Sequence, residues 1–556
     1  FPVKSASPDM SLEGAELLLN RYNINALPVM EEGKLLGIIT RQTVEKGIYH
    51  GLKNHAVKDY MSTPVATVGP EATLAEIRER LVINKQRLLP VVQDDKVIGI
   101  ISRTDLLHLL IDAGEELESQ WSQPLRTKNI VSLMRERLPA KVLDILTRVG
   151  QVAEELGFQA YVVGGFVRDL FIKQENLDVD IVIEGDGIVF AKTFAAKQGA
   201  RARVFQKFKT AVIIFPDGFK VDVATARTEY YDSPGALPVV EYSSIKMDLY
   251  RRDFTINTLA VKLNPQDFGT LLDFFGAHRD LKERRISVLH NLSFVEDPTR
   301  VFRAIRFEQR FRFRISKLTI NLIHNAVKNN FFDRLSGVRL FQELKLILQE
   351  ENPIPAIARL AELVLLKAIH PRLWFDEGTR AMLERVQAVL AWYDLSYIEE
   401  NFERWLVYFL GLVEPLSPEE LEELMARFRP SPKLAQAILQ GKEMADLALM
   451  KLFRLATPSR SEIYQLLSPL GTEYLLYMMA KSRQETSRRQ ISLYFTHLKH
   501  LKPELKGRDL LMLGYKPGPQ LREILHRLHI ARLNEEVKTK GEELELLRRS
   551  FPLPPG

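Results

Sequence analysis

The sequence predicts a multidomain α/β plus α protein, and three patterns carry that expectation. Residues 1 to about 112 contain an internal repeat, each unit reading helix, strand, polar turn, strand, helix. The stretch YVVGGFVRDLFIKQENLDVDIVIE, Tyr161 to Glu184, reads as strand, glycine turn, helix and strand. From about Phe331 onward the chain shows helical periodicity, punctuated by Pro353, Pro371, Pro415, Pro430 and Pro503.

In the repeat, Asn25-Ala26-Leu27-Pro28-Val29-Met30 followed by Lys34-Leu35-Leu36-Gly37-Ile38-Ile39-Thr40 matches Arg87-Leu88-Leu89-Pro90-Val91-Val92 followed by Lys96-Val97-Ile98-Gly99-Ile100-Ile101-Ser102. This resembles a tandem pair of CBS (cystathionine β-synthase) domains. The resemblance implies adenine-nucleotide binding, with the Asp of a Ser/Thr-x-x-Asp element on the ribose hydroxyls. The second repeat has Ser102 and Asp105 in that element, whereas the first has Thr40 and Thr43 and lacks the carboxylate. One such site is therefore expected at most, and a purely structural or dimerising pair is an equal alternative. Charged and polar residues from 113 to about 138 predict a linker. Lys141 to Leu156 then has Val142, Ile145, Leu146, Val149 and Val152 on one helical face, which predicts a helix packed behind a sheet.

In the organising stretch, Tyr161-Val162-Val163 predicts a short buried strand that Gly164-Gly165 ends, and Leu177 to Ile183 alternates as a second strand. Side chains two apart share a strand face, so Asp178 and Asp180 project together. Adjacent carboxylates raise each other's proton affinity, and an oxygen-only pair suits Mg²⁺. The glycines let backbone N–H groups approach a phosphate at a helix start. Gly187–Gly199 predicts a helix; Arg203–Phe205, Thr210–Phe215 and Phe219–Ala224 predict strands, the last carrying Asp222 in an apolar run. Thr225–Tyr250, with Asp232-Ser233-Pro234-Gly235, reads as a loop, and Arg251–Asn257 as the opening of a helix, with Asp253 as either its cap or a ribose acceptor. From Arg279 to Arg314 there are ten Lys/Arg against five Asp/Glu. Arg300, Arg303 and Arg306 recur at helical spacing there, and Asp297 reads as one turn before Arg300.

Taken in order, GGFVRD (Gly164–Asp169), LDVDIVIEG (Leu177–Gly185), RRDFTIN (Arg251–Asn257), DFFG (Asp273–Gly276) and EDPTR (Glu296–Arg300) resemble the class II tRNA nucleotidyltransferases and bacterial poly(A) polymerases of the polymerase-β superfamily. Thr258 and Ala277 stand where that family commonly has Ala and Gly. The resemblance implies a polymerase-β-like head with a mixed sheet over residues 139–277, a nucleotide-selecting helical neck over 278–345, a helical body over 346–470 and a helical tail over 471–556. Leu505–Leu547, with Gly514-Tyr515-Lys516-Pro517-Gly518-Pro519, resembles the family's grip on the tRNA elbow.

The implied activity is addition of nucleotides to an RNA 3′ end without a nucleic-acid template, releasing pyrophosphate. Asp178 and Asp180 would hold two Mg²⁺ ions, with Asp222 completing the catalytic set. Gly164, Gly165 and Arg168 would cradle phosphates, and Arg252, Asp253 and Asn257 would place the ribose. Asp297 and Arg300 would choose the base, held by Glu296, Arg303 and Arg306. Adenine and cytosine both present an amino donor beside a ring-nitrogen acceptor. A carboxylate next to a guanidinium therefore matches A or C and leaves unmet groups against G or U. Family members with an N-terminal CBS pair are often A-adding, which makes a tRNA ending in CC with ATP the expected substrate. Full CCA addition with CTP and poly(A) synthesis stay open, as does a CBS nucleotide sensor with a degenerate transferase.

Length and composition set outer bounds. At 556 residues several domains are expected. The absence of cysteine excludes disulfides and thiolate metal sites and fits a cytoplasmic protein. The longest apolar run, Trp405–Val413, is far short of the roughly 20 residues that span a bilayer. No signal-peptide pattern is visible, and a start at Phe1 predicts a processed or trimmed N-terminus. A formal charge of +6 permits a polyanionic partner.

Overall fold

The computed structural model describes residues 3–552 except 74–75, 78–79, 82–85, 87, 103–104, 106–127, 231–238, 397 and 456. Most of the linker expected at 113–138 and the Asp232–Gly235 loop lie outside the described residues. The chain divides into two compact units, the first running to Leu335 and the second from Ser336.

The repeat in the first unit folds as two matching hairpins. Strand β1 (Ala26–Glu31) pairs antiparallel with β2 (Lys34–Thr40), and β3 (Leu88–Gln93) with β4 (Lys96–Ser102). Both carry a register shift at the same place, between Val29 and Met30 and between Val91 and Val92. Their two-residue turns, Glu32-Gly33 and Asp94-Asp95, have positive φ at both positions, which matches the right-handed twist of the flanking strands. Helices Leu12–Arg21 and Arg41–Tyr49 pack beside the first hairpin.

The head is a mixed eight-stranded sheet. Its strands are β5 (Lys128–Asn129), β6 (Gln159–Val163), β7 (Val179–Glu184), β8 (Arg201–Phe205), β9 (Thr210–Ile214) and β10 (Lys220–Thr225). A separate hairpin of β11 (Arg227–Tyr230) and β12 (Val239–Tyr242) follows, and then β13 (Leu259–Lys262) and β14 (Thr270–Asp273) complete the sheet. The spatial order is β5-β14-β13-β6-β7-β10-β9-β8. Only β7 and β10 run parallel; the other neighbours are antiparallel. The β7–β10 crossover passes through the Gly187–Lys197 helix, whose first turn Asp186 caps by accepting from the N–H groups of Ile188 and Val189. Val179, Ile181, Val182 and Ile183 of β7 are all buried, as a central strand covered on both faces requires. The predicted amphipathic helix spans Ala140–Glu155 and buries each of its expected apolar positions.

Five segments differ from expectation. Thr225–Tyr250, expected to be a loop, carries the β11–β12 hairpin and a helix, Ile245–Tyr250. The end of the expected linker carries β5 and a helix, Val131–Arg137. Strand β7 starts at Val179, because the N–H of Asp178 bonds the Asn176 side chain (2.8 Å) and keeps the two residues before Val179 out of the ladder. Arg251–Asn257 does not open an α-helix. Phe254 is extended and bridges Val288, and only a single 3₁₀ turn, Thr255–Asn257, follows before β13. Asp297 is not in a continuous helix with Arg300 either. Helix Ser293–Glu296 ends, Asp297 is extended (φ −142°, ψ 94°), and Thr299–Phe311 begins anew. The cause is Pro298, whose ring disfavours helical backbone in the residue before it.

In the second unit every described regular element is helical, from Gly337–Leu348 to Lys540–Ser550. Leu505, Leu510, Tyr515, Ile524, Leu528 and Leu547 form its C-terminal core. Buried Glu543 ties the Glu504-Leu505 turn to the last helix by accepting from the Leu505 N–H (2.8 Å) and the Glu504 N–H (3.1 Å). Among the described residues no helix is long and apolar enough to cross a membrane.

The head depends on close backbone contact at Gly150, where a Cβ would lie 1.7 Å from the carbonyl oxygen of Leu263. Gly150→Ala should therefore lower the head's thermal midpoint by the equivalent of at least about 1–3 kcal/mol. Gly69→Ala, which meets no atom within 4 Å, should stay within about 0.5 kcal/mol of the parent. Calorimetry on both variants checks the contrast; equal midpoints would contradict this packing.

Candidate active site

The parallel register of β7 and β10 brings the acidic residues together. Asp222 is the direct partner of Asp180 across the two strands, so both side chains leave the sheet on the same face. Asp178 lies two residues before Asp180, exposed at the strand entrance. Burial pushes the Asp180 carboxyl up to about 6; Arg252 opposes the rise, and the charges of Asp178, Asp222 and Asp248 add to it. Burial and Asp178 likewise raise Asp222, against Lys220. Among the described residues no three His, Asp or Glu side chains converge tightly enough to cage a cation alone. The site is an open, oxygen-only edge short of positive charge, which suits a hard cation that keeps other oxygen ligands.

Gly164 closes one side of this edge. Its φ of +74° is left-handed, and a Cβ there would lie 2.6 Å from Arg252 Nη1 and 3.8 Å from Asp180 Oδ2. Glycine is thus required by conformation, and a Cβ would also displace the Arg252 guanidinium; the Gly164-Gly165 turn, Arg252 and Asp180 meet at one point. The helix that follows, Gly165–Ile172, presents its N-terminus there.

Arg252 is positioned by Asp248, a residue with no solvent exposure that the sequence alone did not single out. Asp248 accepts from Arg251 Nη2 (2.7 Å) and Arg252 Nη2 (3.3 Å). Its burial alone would raise its proton affinity, but the two guanidiniums outweigh that and hold it below the ordinary range.

Arg168 and Asn257 sit below the turn in a buried chain of polar contacts. Arg168 donates from Nε and Nη2 to Asp169 (2.8 and 2.9 Å) and from Nη1 to Asn257 Oδ1 (2.7 Å). Asn257 Nδ2 donates to Asp253 Oδ1 (2.9 Å), and Arg303 pairs with Asp253 Oδ2 (2.8 Å). The guanidinium of Arg168 also lies over the rings of Phe311 and Phe307. Three of its five N–H donors are thus held inside the protein, a geometry suited to orienting Asn257 rather than to reaching far toward a phosphate. Burial alone would raise Asp253, but Arg303, Asn257 and its own neighbouring N–H keep it ionised.

The expected base-choosing residues lie in buried surroundings. Asp297 Oδ1 accepts from the N–H (3.1 Å) and hydroxyl (2.6 Å) of Thr299, which starts the new helix. Arg300 donates to Ser293 Oγ (2.8 Å) and to the backbone oxygen of Arg251 (3.0 Å), joining this helix to the segment that carries Arg252 and Asp253. Glu296 Oε2 is 4.0 Å from Arg300 Nη1 and 3.2 Å from His290 Nε2. Arg300 and Arg306 are buried and Arg303 is part-exposed, so this is not a solvated salt-bridge helix. At the second repeat, Asp105 Oδ2 accepts from the N–H (2.8 Å) and hydroxyl (2.7 Å) of Ser102, a local cap on an exposed turn.

Sequence reasoning missed Asp248, Asp169, His290 and Lys46. Asp169 lies inside the GGFVRD motif and so had a visible signal; Asp248 and His290 have partners three to six residues away but no pattern that shows their burial, and the partner of Lys46 is 250 positions distant.

The poly A polymerase head domain model matches residues 160–287, and the CBS domain model matches residues 2–49 and 57–112. With the mixed sheet, these define the class: a nucleotidyltransferase head preceded by a CBS pair. The A-adding tRNA nucleotidyltransferase of Geobacter sulfurreducens is 47% identical over 559 residues, covering 99% of this chain and 63% of the relative. That of Halalkalibacterium halodurans is 30% identical over 447 residues, covering 78% of this chain and 99% of the relative. The solved structure of a Thermotoga maritima CCA-adding enzyme complexed with tRNA is similar with a TM-score of 0.60 and 34% identity, covering 76% of this chain and 99% of that one. The chain belongs to the tRNA nucleotidyltransferase family. It spans less than two thirds (63%) of the Geobacter relative's length.

The Asp180 environment makes a signed prediction. Its pKa is raised in the folded chain, so the folded state binds the proton more tightly and stability falls as pH rises from 3.8 through about 6. In EDTA, Asp180→Asn should therefore melt higher than the parent above about pH 6, by up to about 3 kcal/mol, with the gap closing toward pH 3.8. Melting curves across that range test it; a gap independent of pH would contradict the assigned environment.

Proposed function

We propose that this protein adds the terminal A to the 3′ end of a tRNA ending in CC, using ATP and releasing pyrophosphate, without a nucleic-acid template. The observation that carries the reading is the side-by-side register of Asp180 and Asp222 on adjacent central strands, with Asp178 two residues before Asp180, beside the Gly164-Gly165 turn and Arg252. Sequence similarity along nearly the whole chain to an A-adding enzyme supports A over CCA addition. Addition of CCA with CTP as well, or of poly(A), is the competing outcome, and the substrate assay separates them. A tRNA-end substrate makes the cytoplasm the expected compartment.

Nucleotidyltransferases generally use divalent metal ions, and we assign Asp178 and Asp180 as carboxylates that would hold two Mg²⁺, with Asp222 assisting. Bound there, divalent cations supply the charge that favours the nucleophilic 3′ oxygen and neutralises the leaving pyrophosphate. The protein's own part is orientation. The Gly164-Gly165 turn offers backbone N–H groups to the triphosphate at a helix start, and Arg252, fixed by Asp248, offers the adjacent guanidinium. Arg168 acts one step removed, holding Asn257 and through it Asp253 for the ribose. Asp297 accepts and Arg300 donates on the base edge, which matches adenine and cytosine. Glu296 lies beside Arg300 in that pair, while Arg303, which holds Asp253, and Arg306 are assigned to the same selecting helix. The helical second unit, through its tail, is the proposed grip on the tRNA elbow, where Lys and Arg would meet phosphates without reading sequence. An adenine nucleotide is the proposed ligand of the CBS pair, through Ser102 and Asp105.

A turnover assay with a CC-ending tRNA and each nucleoside triphosphate separately tests the reaction. ATP should be incorporated once; CTP incorporation or repeated addition would favour the competing outcomes. Asp180→Ala should abolish incorporation while tRNA affinity stays near the parent value, and retained activity would overturn the carboxylate assignment.

Asp297→Ala should lower kcat/KM for ATP by roughly one to two decades, since one hydrogen bond to a charged group is worth about 1.5–3 kcal/mol. Discrimination against GTP and UTP should relax at the same time. An equal loss for all four nucleotides would make Asp297 structural, and unchanged selectivity would place base choice elsewhere.

A further inference from the structure

Glu296, at the start of the EDPTR motif, is held from outside the transferase head. Lys46, on the Arg41–Tyr49 helix of the first CBS repeat, donates from Nζ to Glu296 Oε1 at 2.9 Å. On the other oxygen, Oε2, Glu296 faces His290 Nε2 (3.2 Å) and Arg300 Nη1 (4.0 Å). The carboxylate is nearly enclosed, with 9% of its side chain exposed, and Lys46 is the cation that approaches it from the CBS side. The ammonium also lies over the ring of Tyr250, which meets His290 at a tilt of 38° with ring centroids 5.4 Å apart. Buried His50, at the end of the Lys46 helix, is close enough to feel both Glu296 and His290.

The contact is one point of a wider seam inside the first unit. Asn291 donates from Nδ2 to the backbone oxygen of Tyr60 and to Ser62 Oγ (3.1 Å), and Asn325 donates to the backbone oxygen of Asp59 (2.6 Å). Three neck side chains thus take partners from the CBS pair: Glu296 from the first repeat, through Lys46, and Asn291 and Asn325 from the start of the second, at Asp59–Ser62. The Glu296 charge, 4.0 Å from Arg300 Nη1, acts electrostatically on a guanidinium whose hydrogen bonds go to Ser293 Oγ and the Arg251 carbonyl, and Arg300 is the donor half of the base-choosing pair.

We propose that the first CBS repeat is a working part of the nucleotide-selecting site, in which Lys46 is a positioning residue that holds Glu296 and, through it, orients Arg300 against the base. This rests on the reading of Asp297 and Arg300 as the base-choosing pair. Burial of Glu296 alone would favour its protonated form; His290, Lys46 and Arg300 outweigh that and keep it ionised. Lys46 is 38% exposed at its side chain, and Glu296 keeps His290 and Arg300 beside it when the ammonium is removed, so Lys46→Ala should still fold.

The test is steady-state kinetics on the full chain with a CC-ending tRNA and ATP or CTP. Lys46→Ala should raise KM for ATP about two- to fivefold, a loss moderated by the solvent exposure of the pair, and narrow the ATP/CTP ratio of kcat/KM. The kcat for ATP and the KM for tRNA should hold. Lys46→Arg should restore most of the ratio, and Lys53→Ala, which disturbs only an exposed pair with Glu13, should change nothing. In a Glu296→Gln background Lys46→Ala should cost little more, because both changes break one interaction. Additive losses, or an unchanged ATP/CTP ratio in Lys46→Ala, would overturn the role. Asp297→Ala measured alongside separates the two levels. Selectivity relaxed there but intact in Lys46→Ala removes the Lys46 role alone; selectivity intact in both removes the base-choosing reading and this role together.

Discussion

Asp248 has no solvent exposure, and a carboxylate in that position stays ionised only where cations reach it. Arg251 and Arg252 do so, and that requirement shapes the segment from Asp248 to Asn257 on which the candidate site is built. Once Arg252 is drawn back to Asp248, it lies against Gly164 and next to Asp180. Once Arg251 is drawn the same way, its carbonyl meets Arg300. The next carboxylate, Asp253, repeats the logic with Arg303 and Asn257, and Asn257 passes it on to Arg168 and Asp169. A chain of paired buried charges thereby joins the glycine turn, the acidic sheet edge and the neck helix. Each link would be costly to break, since an unpaired buried charge loses far more than one hydrogen bond.

Two carboxylates share the field of Arg252 and respond oppositely. Asp248 has Arg251 and Arg252 as direct partners and is held ionised. Asp180 is pushed up to about 6 chiefly by burial, which the more distant Arg252 only partly offsets while Asp178, Asp222 and Asp248 add to the rise. Environments that drive like groups apart in this way divide their tasks: one is structural, and the other is left short of positive charge. That deficit is the physical reason to look for a cation at Asp180 rather than at Asp248.

The head sheet carries its acidic edge because β7 and β10 are its only parallel neighbours. Parallel register places Asp180 and Asp222 side by side, and the Gly187–Lys197 crossover covers the strands that connect them. The CBS pair meets the neck through polar side chains, as the Asn291, Glu296 and Asn325 contacts illustrate.

The sequence by itself determined the element types and the short motifs. The repeat in the first hairpins, the Gly164-Gly165 turn, the Asp178–Asp180 spacing and the helix over Ala140–Glu155 were legible because each is a pattern within about a dozen residues. It also carried the family resemblance that named Asp297 and Arg300. It misjudged Arg251–Asn257, where helical spacing lost to the Phe254–Val288 bridge, and Asp297, where Pro298 overrode the apparent turn. It gave no sign of Asp248 as an anchor, since a carboxylate's burial depends on what folds over it. Nor could it show Lys46 on Glu296, two residues 250 positions apart. Local backbone preference is written in neighbouring residues, whereas the pairing of buried charges is decided only when distant segments are packed together and the water between them is removed.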